Sequence, residues 1–202
     1  MRKILLLLIV CICFSGCLST KKYHKVQNDA KQIQEKNGIT VICEYLDEGQ
    51  LIKRHGRNDN PFVAKEFVLT PVYTLVFEVE IKNNTSMMVK YDSRETELIF
   101  ADRATRAAVV SDIESKLDEE KNTKGSSKLA QIRLARKVMY RNIVRIQPGE
   151  SYKKYVVFIN NFRQRGECSV NLPLMYNSGN VAEEFEFTYQ LAKAKTKTSS
   201  KK

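Results

Sequence analysis

VYTLVFEVEIK, residues 72–82, alternates apolar and polar side chains along its length. Every odd-numbered position from Tyr73 to Ile81 is apolar, and the positions between them are polar except for Val76. Successive side chains of a β-strand point to opposite faces, so a period of two predicts a strand that is buried on one face. The residues NNTS that follow, at 83–86, favour turns and predict the end of this strand.

Other parts of the chain repeat this pattern of a short strand closed by a turn. Strands are predicted at 39–47, 63–69, 87–91, 95–101, 106–110, 143–147, 151–159, 167–176 and 182–189. Turns are predicted at Pro148-Gly149 and at 177–180. Many short strands with little helix favour a mainly β fold, an antiparallel sandwich formed by one domain over residues 39–190.

Two segments have helical rather than alternating patterns. Residues 111–142 begin with the acidic DIESKLDEE and continue with a basic part in which apolar residues from Leu129 to Ile143 follow at helical spacing. They predict a helical insertion whose apolar stripe rests on the sandwich; the alternative is a basic amphipathic helix that binds a membrane or an acidic partner. Val26 to Gly38 predicts a short helical spacer that ends at Asn37-Gly38.

The first seventeen residues have the layout of an export signal. Arg2 and Lys3 precede eleven apolar residues, and small residues then lead to Cys17. Eleven residues are too few to cross a bilayer, which takes about 20. Residues 1–16 are therefore predicted to be a signal peptide.

Phe14-Ser15-Gly16-Cys17 resembles the lipobox of bacterial lipoproteins, in which signal peptidase II cuts before the cysteine and the thiol carries a diacylglyceryl group. The usual residue three before the cysteine is Leu, and Phe14 departs from it as in the looser boxes of spirochaetal lipoproteins. The resemblance implies lipid attachment at Cys17 and removal of residues 1–16. The alternative is an ordinary signal peptide cut nearby, which leaves Cys17 as a free thiol.

Cys43 and Cys168 are the other cysteines of the chain predicted to remain after export. Each lies in a predicted strand, and a disulfide persists in an oxidising extracytoplasmic compartment. The alternative is two separate buried thiols, because cysteine is among the residues most often fully buried.

The formal net charge of +11 is concentrated at the two ends of the chain. Residues 39–190 carry 22 basic and 21 acidic residues, whereas 17–38 hold five lysines against two acids and 191–202 hold five lysines and no acid. These ends are predicted to be a basic tether and a Lys-rich disordered tail, which either lie on anionic lipid headgroups or remain solvated. Nucleic acid is not an expected partner, because an exported chain rarely meets it and the basic run at 191–202 lacks aromatic residues for base stacking.

Four segments together bring a second resemblance. VFEVEIKNNT, ELIFAD, IQPGESYKKYVVF and CSVNLPLMY are similar, in order, to the telokin-like, immunoglobulin-like domain of many bacterial lipoproteins. In that family an early strand ends in an Asn-rich turn, and a Pro-Gly-Glu-Ser turn precedes a strand ending in Val-Val-Phe. The likeness covers about Tyr73 to Tyr189 and implies an immunoglobulin-like sandwich that serves for adhesion or ligand binding without a catalytic centre.

Motifs for catalysis, cofactors and metals are not found in the sequence. The two histidines, His24 and His55, provide neither a His-rich zinc site nor an HExxH motif, and no GxSxG or Gly-rich phosphate loop is present. Ser151 to Lys154 matches SxxK, but that nucleophile should open a helix, and Ser151 follows a turn into a predicted strand. The chain is predicted not to be an enzyme and to use no cofactor or metal.

The segment RHGRNDNPF, residues 54–62, is a candidate contact loop. It is polar, favours turns and ends in an aromatic residue beside a proline, which is typical of binding loops on a rigid scaffold. Arg54, His55, Arg57 and Phe62 are the residues predicted to touch a partner. The alternative is a plain connection in which Phe62 fills the edge of the core.

These features predict a lipid-anchored protein of the cell envelope that acts as a non-catalytic binding or structural module. Its expected partners are the membrane, through the lipid on Cys17, and an unknown envelope or extracellular protein. Leu18 is not the aspartate that retains lipoproteins in the inner membrane of some bacteria, so the outer membrane is the expected location. The alternative function is an inhibitor or accessory subunit of an envelope enzyme such as a protease.

Overall fold

The computed structural model describes residues 24–63, 73–101, 103–119, 125–160, 166–176 and 179–193. The strands are β1 (His24–Val26), β2 (Lys31–Lys36), β3 (Ile39–Leu46), β4 (Tyr73–Asn83), β5 (Val89–Asp92), β6 (Glu97–Phe100), β7 (Arg103–Arg106), β8 (Ile143–Ile146), β9 (Ser151–Asn160), β10 (Gly166–Tyr176) and β11 (Val181–Lys193). The helices are α1 (Glu48–His55), α2 (Val110–Glu119) and α3 (Gly125–Val138), with a 3-10 turn at Ser93–Glu95. The predicted signal peptide, Cys17, the strand predicted at 63–69 apart from Val63, and the tail beyond Lys193 lie outside the described residues.

The described strands form two antiparallel sheets. A seven-stranded sheet has the order β1-β11-β10-β5-β8, with β6 also pairing with β10 and β7 with β6. A four-stranded sheet has the order β2-β3-β4-β9. Buried apolar side chains from both sheets form one continuous core between them. The prediction of a mainly β fold built from antiparallel sheets is confirmed.

Strand β4 contributes the centre of this core, as its alternation predicts. Leu75, Phe77, Val79 and Ile81 are all at most 4% exposed. The ring of Phe77 lies 5.9 Å from that of Phe158 on β9 and 5.1 Å from that of Tyr189 in the other sheet. Edge-on and tilted ring contacts of this kind add to the burial of apolar area.

The opposite face of the four-stranded sheet carries a second, smaller core under the helices. Leu46, Val76 and Val157 are direct neighbours across three strands and are at most 1% exposed. Val76 breaks the alternation of β4 because its outward side chain is covered by helices instead of water. The row is therefore buried on a face that alternation alone assigns to solvent.

Helices α2 and α3 confirm the predicted helical insertion. Arg136 and Glu114 form an ion pair at 2.8 Å, and Lys128 pairs with Asp118, so the basic and acidic parts face each other. Ile132, Ala135 and Met139 of the predicted apolar stripe pack on the sheet, but Leu129 is 57% and Ile143 43% exposed. The strand predicted at 106–110 is wrong: β7 ends at Arg106, and the residues after it lead into α2.

The predicted helical spacer is wrong. Residues 24–26 and 31–36 are strands β1 and β2, and β2 forms a hairpin with β3 in which Lys36 lies opposite Ile39. Asn37 and Gly38 are the two turn residues, with φ of 47° and 80°. Positive φ at both central positions is the geometry of a type I′ turn, so Asn-Gly here signals a hairpin and not the end of a helix.

Side chains of strand β2 also cover part of the backbone edge of β11. The side-chain amides of Gln32 and Gln34 and the ammonium of Lys36 donate to the backbone carbonyls of Thr188, Glu186 and Glu184 in turn. Unpaired carbonyls at a strand edge invite pairing with another chain. This ladder of side chains satisfies them across the gap between the two sheets. The tail was predicted to begin at 191, but residues 191–193 belong to β11.

Asn83, at the end of β4, fixes the Asn-rich turn on which the second resemblance partly rests. Its side chain is fully buried, donates to the carbonyls of Met87 (2.8 Å) and Ile146 (2.9 Å), and accepts from the backbone N–H of Thr85 (3.0 Å). Its backbone pairs with the turn at Gly149 and Glu150. One asparagine thus joins the end of the four-stranded sheet to the edge of the other.

Candidate functional site

Helix α1 covers residues 48–53, for which no element was predicted, and the first two residues of the predicted contact loop, Arg54 and His55. Asp47 caps its first turn: its carboxylate accepts from the N–H of Gln50, and the Gln50 side chain accepts from the N–H of Asp47, both at 2.8 Å. This reciprocal capping box and the basic residues of the last turn are both readable in DEGQLIKRH. Leu51 anchors the helix in the second core, being 2% exposed. The signal was present, but eight residues are few enough to escape a periodicity count.

The last turn of α1 brings two predicted contact residues to a polar cluster on the four-stranded sheet. We call Arg54, His55, Glu78, Lys153 and Tyr155 the Glu78 cluster. The Glu78 carboxylate accepts from Arg54 at 2.8 Å and from Lys153 at 2.9 Å. The Tyr155 hydroxyl lies 2.9 Å from Nε2 of His55 and accepts from Arg54 at 3.3 Å.

The electrostatics of the Glu78 cluster suit a structural role. Hydrogen bonding to Glu78 raises the pKa of Lys153, and for Arg54 the contacts with Tyr155 and Glu78 outweigh burial and raise its pKa too. Burial lowers the pKa of His55, and the nearby charge of Arg54 lowers it further. Two fixed cations thus surround one carboxylate, and a neutral imidazole is favoured beside them.

The other two predicted contact residues, Phe62 and Arg57, do not belong to the Glu78 cluster. Phe62 is 3% exposed, and its ring lies 6.0 Å from that of Tyr155 in the second core. Arg57 is 43% exposed and lies 3.4 Å from Glu48. Asn60 ties the connection to α1 by donating to the carbonyls of Leu51 and Gly56. The structure therefore gives Phe62 the core-filling position that was the alternative, and a contact role for the four residues stays a prediction.

Cys43 and Cys168 are both buried free thiols in the structure. Cys43 lies on β3 and Cys168 on β10, and Tyr189 lies beside both: its hydroxyl donates to the Cys43 carbonyl at 2.8 Å, and it is the register partner of Cys168. Burial raises the pKa of each thiol to about 12. Thiolate is the reactive form of cysteine, so neither is poised as a nucleophile.

An open groove of about 710 Å³ lies between the start of α2, the end of α3 and the start of β8. Its lining residues are Val109, Val110, Ser111, Glu114, Arg136, Met139, Tyr140, Arg141, Asn142 and Ile143. The Glu114–Arg136 ion pair forms part of its wall, and Ile143 is 43% exposed. The sequence analysis missed this groove because it depends on how the insertion docks. We call it the insertion groove.

The entry and exit of the insertion are fixed to the edge of β9, which positions this groove. The N–H of Ala108 donates to the carbonyl of Val157 at 2.7 Å, and the N–H of Tyr140 donates to the carbonyl of Tyr155 at 3.0 Å. The Tyr140 hydroxyl also donates to the carbonyls of Val79 and Tyr152. The floor of the insertion groove is therefore rigidly attached to the sheet.

Within the described ranges, no three or more His, Cys, Asp or Glu side chains are grouped so as to hold a metal ion. The same residues include no helix with the length and apolar character needed to cross a membrane.

No protein-family model and no curated protein matches the chain. The solved structures to which it is similar at low identity include the following three. They are the structural-genomics target SoR45 (12% identity, TM-score 0.36, covering 79% of this chain and 88% of that one), the yjhA protein from Bacillus subtilis (10%, 0.39, 80% and 96%) and a functionally unknown protein from Listeria monocytogenes EGD-e (10%, 0.39, 83% and 86%). Similarity at this level assigns neither a family nor a function.

Proposed function

We propose that the chain is a lipid-anchored lipoprotein of the bacterial cell envelope, in which an immunoglobulin-like sandwich acts as a non-catalytic binding or structural module. The observation that carries the proposal is the position of Cys17 relative to the fold. Its lipobox-like sequence ends seven residues before β1 begins at His24. An anchor there leads directly into the folded domain.

The short distance between Cys17 and β1 limits how far the domain stands from the lipid. Each residue of an extended chain spans at most about 3.6 Å, so seven residues reach no more than about 25 Å. The predicted tether extended to residue 38, but β1 and β2 take nine of its 22 residues into the two sheets. The proposed module therefore rests close to the membrane that holds its lipid.

The proposed non-catalytic character is supported by the environment of the described carboxylate and thiol groups. Glu78 is neutralised by Arg54 and Lys153, and the thiols of Cys43 and Cys168 are buried with raised pKa values. The insertion groove is the place we assign to a partner, because it combines an exposed apolar side chain, Ile143, with charged walls. Interfaces commonly combine an apolar centre with a polar rim.

The alternative function, an inhibitor or accessory subunit of an envelope enzyme, receives no specific support from the predicted contact loop. Arg54 and His55 bond within the chain, and Phe62 is buried. An inhibitor presents its contact residues to the enzyme, and within the described residues the insertion groove is the place that we assign to such a contact.

Metabolic labelling with a clickable palmitate analogue in a bacterial host tests the anchor. The full chain should be labelled and sediment with membranes, whereas Cys17→Ser should be unlabelled. Cys11→Ser and Cys13→Ser are matched controls, because both cysteines lie in the predicted signal peptide and their loss should leave labelling intact. Labelling that persists in Cys17→Ser, or that is absent from the full chain, would overturn the proposal.

The same host tests the insertion groove as a partner site. A photo-crosslinking residue at Ile143 should capture one dominant envelope protein. Met87, which is 50% exposed on the connection between β4 and β5, is the matched control position and should not capture it. Equal capture from both positions would show that the groove is not the binding site.

A further inference from the structure

We propose that the outer edge of strand β2 pairs with the same edge of a second copy of the chain, in antiparallel order and around a two-fold axis at Ile33. Two four-stranded sheets joined in this way form one continuous sheet. This surface is separate from the insertion groove, and the inference does not depend on the proposed lipid anchor.

Strand β2 lies at the edge of its sheet, with one side open in the described part of the chain. It stands at the end of the order β2-β3-β4-β9. The N–H of Tyr45 donates to the carbonyl of Ala30 at 2.7 Å, so even-numbered residues along this edge turn their backbone groups toward β3. The backbone groups of Lys31, Ile33 and Glu35 therefore point away from β3. Each of these three residues offers one donor and one acceptor to another strand.

The side chains of the same three residues are exposed, whereas those between them are engaged. Ile33 is 60% exposed, and Lys31 and Glu35 are exposed on either side of it. Gln32 and Gln34 point the opposite way and bond to β11. Within the described ranges, neither Lys31 nor Glu35 has an ion-pair partner. One apolar and two charged side chains thus line an open backbone edge.

The sequence KQIQE, residues 31–35, is complementary to itself in the antiparallel direction. When the pairing is centred on Ile33, the two copies of Ile33 face each other, and Lys31 of each copy faces Glu35 of the other. Opposite charges in directly facing positions stabilise a sheet, and like charges destabilise it. The outward backbone groups belong to these same residues, so each facing pair is also a hydrogen-bonded pair.

The match is specific to this register. A shift by two residues places Lys31 or Glu35 opposite Ile33 and puts the other charge beyond the end of β2. In the proposed register the apolar row continues across the seam, because Ile33 is the register partner of Ile42 on β3. A pair related by a two-fold axis uses the same patch on both copies and closes on itself, so the expected product is a dimer.

Sedimentation velocity tests the association. The chain from residue 17 onward, carrying Cys17→Ser, keeps every described residue, and we expect it to show a concentration-dependent equilibrium between monomer and dimer without larger species. A chain that stays monomeric up to millimolar concentration, or that forms a series of larger oligomers, contradicts the inference. The labelling of Cys17 is independent of this result, so failure of the anchor and failure of the dimer are distinguishable.

Charge reversal tests the register. Lys31→Glu and Glu35→Lys each place like charges opposite each other at both ends of the seam, and each alone should weaken dimerisation about tenfold. A mixture of the two variants should regain the dimer, because every facing pair then has opposite charges. Lys53→Glu and Glu95→Lys are matched controls at exposed positions outside the seam and should leave dimerisation unchanged. Equal weakening by the controls, or no recovery in the mixture, would exclude this register.

Cysteine cross-linking tests the position of the axis. Facing residues of a hydrogen-bonded pair lie about 5.5 Å apart at Cα, which suits a disulfide. Ile33→Cys should therefore form a linked dimer under mild oxidation, and Cys43 and Cys168 do not compete because both thiols are buried. Lys31→Cys should not link, because its two copies lie about 13 Å apart along the seam. Met87→Cys, at a 50% exposed position, measures random collision, and equal linkage at all three positions would disprove the axis.

Discussion

The two faces of the four-stranded sheet differ in how they are buried. The inner face packs entirely against the other sheet, and its β4 side chains from Leu75 to Ile81 are apolar and at most 4% exposed. The outer face is divided: the row formed by Leu46, Val76 and Val157 is covered by helices, and the next row along the strands contains Glu44, Glu78 and Tyr155. A single sheet therefore carries a complete core on one face and half a core on the other.

This difference shows what an exception in a sequence pattern means. Alternation along β4 describes the inner face correctly because one uniform neighbour, the second sheet, covers it. The outer face has two neighbours, helices at one end and solvent with charged partners at the other, so no single period describes it. Val76 marks the boundary between them, and the Glu78 cluster lies on its polar side.

The largest expected effect comes from placing a carboxylate in each core. Val79→Asp on the inner face and Val76→Asp on the outer face each bury a charge at a fully buried position, at a cost of several kcal/mol. We expect Val79→Asp to prevent cooperative folding, since native stability is only about 5–15 kcal/mol. We expect Val76→Asp to keep the sheets and to release α2 and α3, seen by hydrogen exchange as loss of protection in residues 110–138 alone.

Val181→Asp is the matched control for both substitutions, because Val181 is 68% exposed and should tolerate the charge. If Val76→Asp instead removes protection from the sheets and helices together, the two cores form one cooperative unit and the division of the outer face has no energetic meaning.

A smaller effect is expected at the polar end of the outer face. Glu78→Gln loses the charge that pairs with Arg54 and Lys153, and should lower the free energy of unfolding by about 1–2 kcal/mol. Glu80→Gln is the matched control: its carboxylate lies 3.5 Å from Lys82, and the change should cost less than about 0.5 kcal/mol. Urea unfolding of both variants measures the difference. Equal losses would mean that the Glu78 cluster does not hold α1 to the sheet.

The smallest expected effect is the pH dependence conferred by His55. Its folded pKa is lowered from about 6.5 by burial, then by Arg54 and Lys137, with Glu78 opposing. The unfolded chain therefore binds a proton more readily, and stability falls as the pH drops from about 6.5 toward the lowered pKa, then levels off. His55→Gln should flatten this part of the stability profile, and His24 cancels because both proteins contain it. An unchanged slope between pH 7 and 5.5 would contradict the assignment.

The sequence predicted the strands from β3 onward, apart from β7, and the helical insertion, because these elements have clear periods and distinct turn residues. It missed β2, since KQIQEK presents Gln32, Gln34 and Lys36 where a sheet normally shows apolar side chains. Their polar groups are needed at those positions because they donate to β11. A pattern count based on hydrophobicity cannot recognise a strand whose ordered face consists of hydrogen-bond donors.

The candidate site was less predictable than the fold. Arg54 and His55 were selected for their loop-like composition, yet they lie in helix α1. Arg54 bonds to Glu78 of β4, and His55 bonds to Tyr155 of β9. The insertion groove depends on the docking of α2 and α3, which is set by backbone bonds to β9 that leave no trace in residue types. The position of a side chain that is fixed by residues distant in the sequence cannot be predicted from the local pattern of residue types.

The pairing of β1 with β11 has a consequence for the order of events in the export that we propose. His24 and Lys193 are nearly the whole described chain apart, so a chain that crosses a membrane N-terminus first delivers one strand of the pair long before the other. Closing contacts between distant residues carries the entropy of a long loop and slows folding. In an export of that kind, the domain could complete its seven-stranded sheet only after residue 193 had crossed, and the sheet would stay open until then. The pairing of three residues would thereby couple the completion of the fold to the passage of β11.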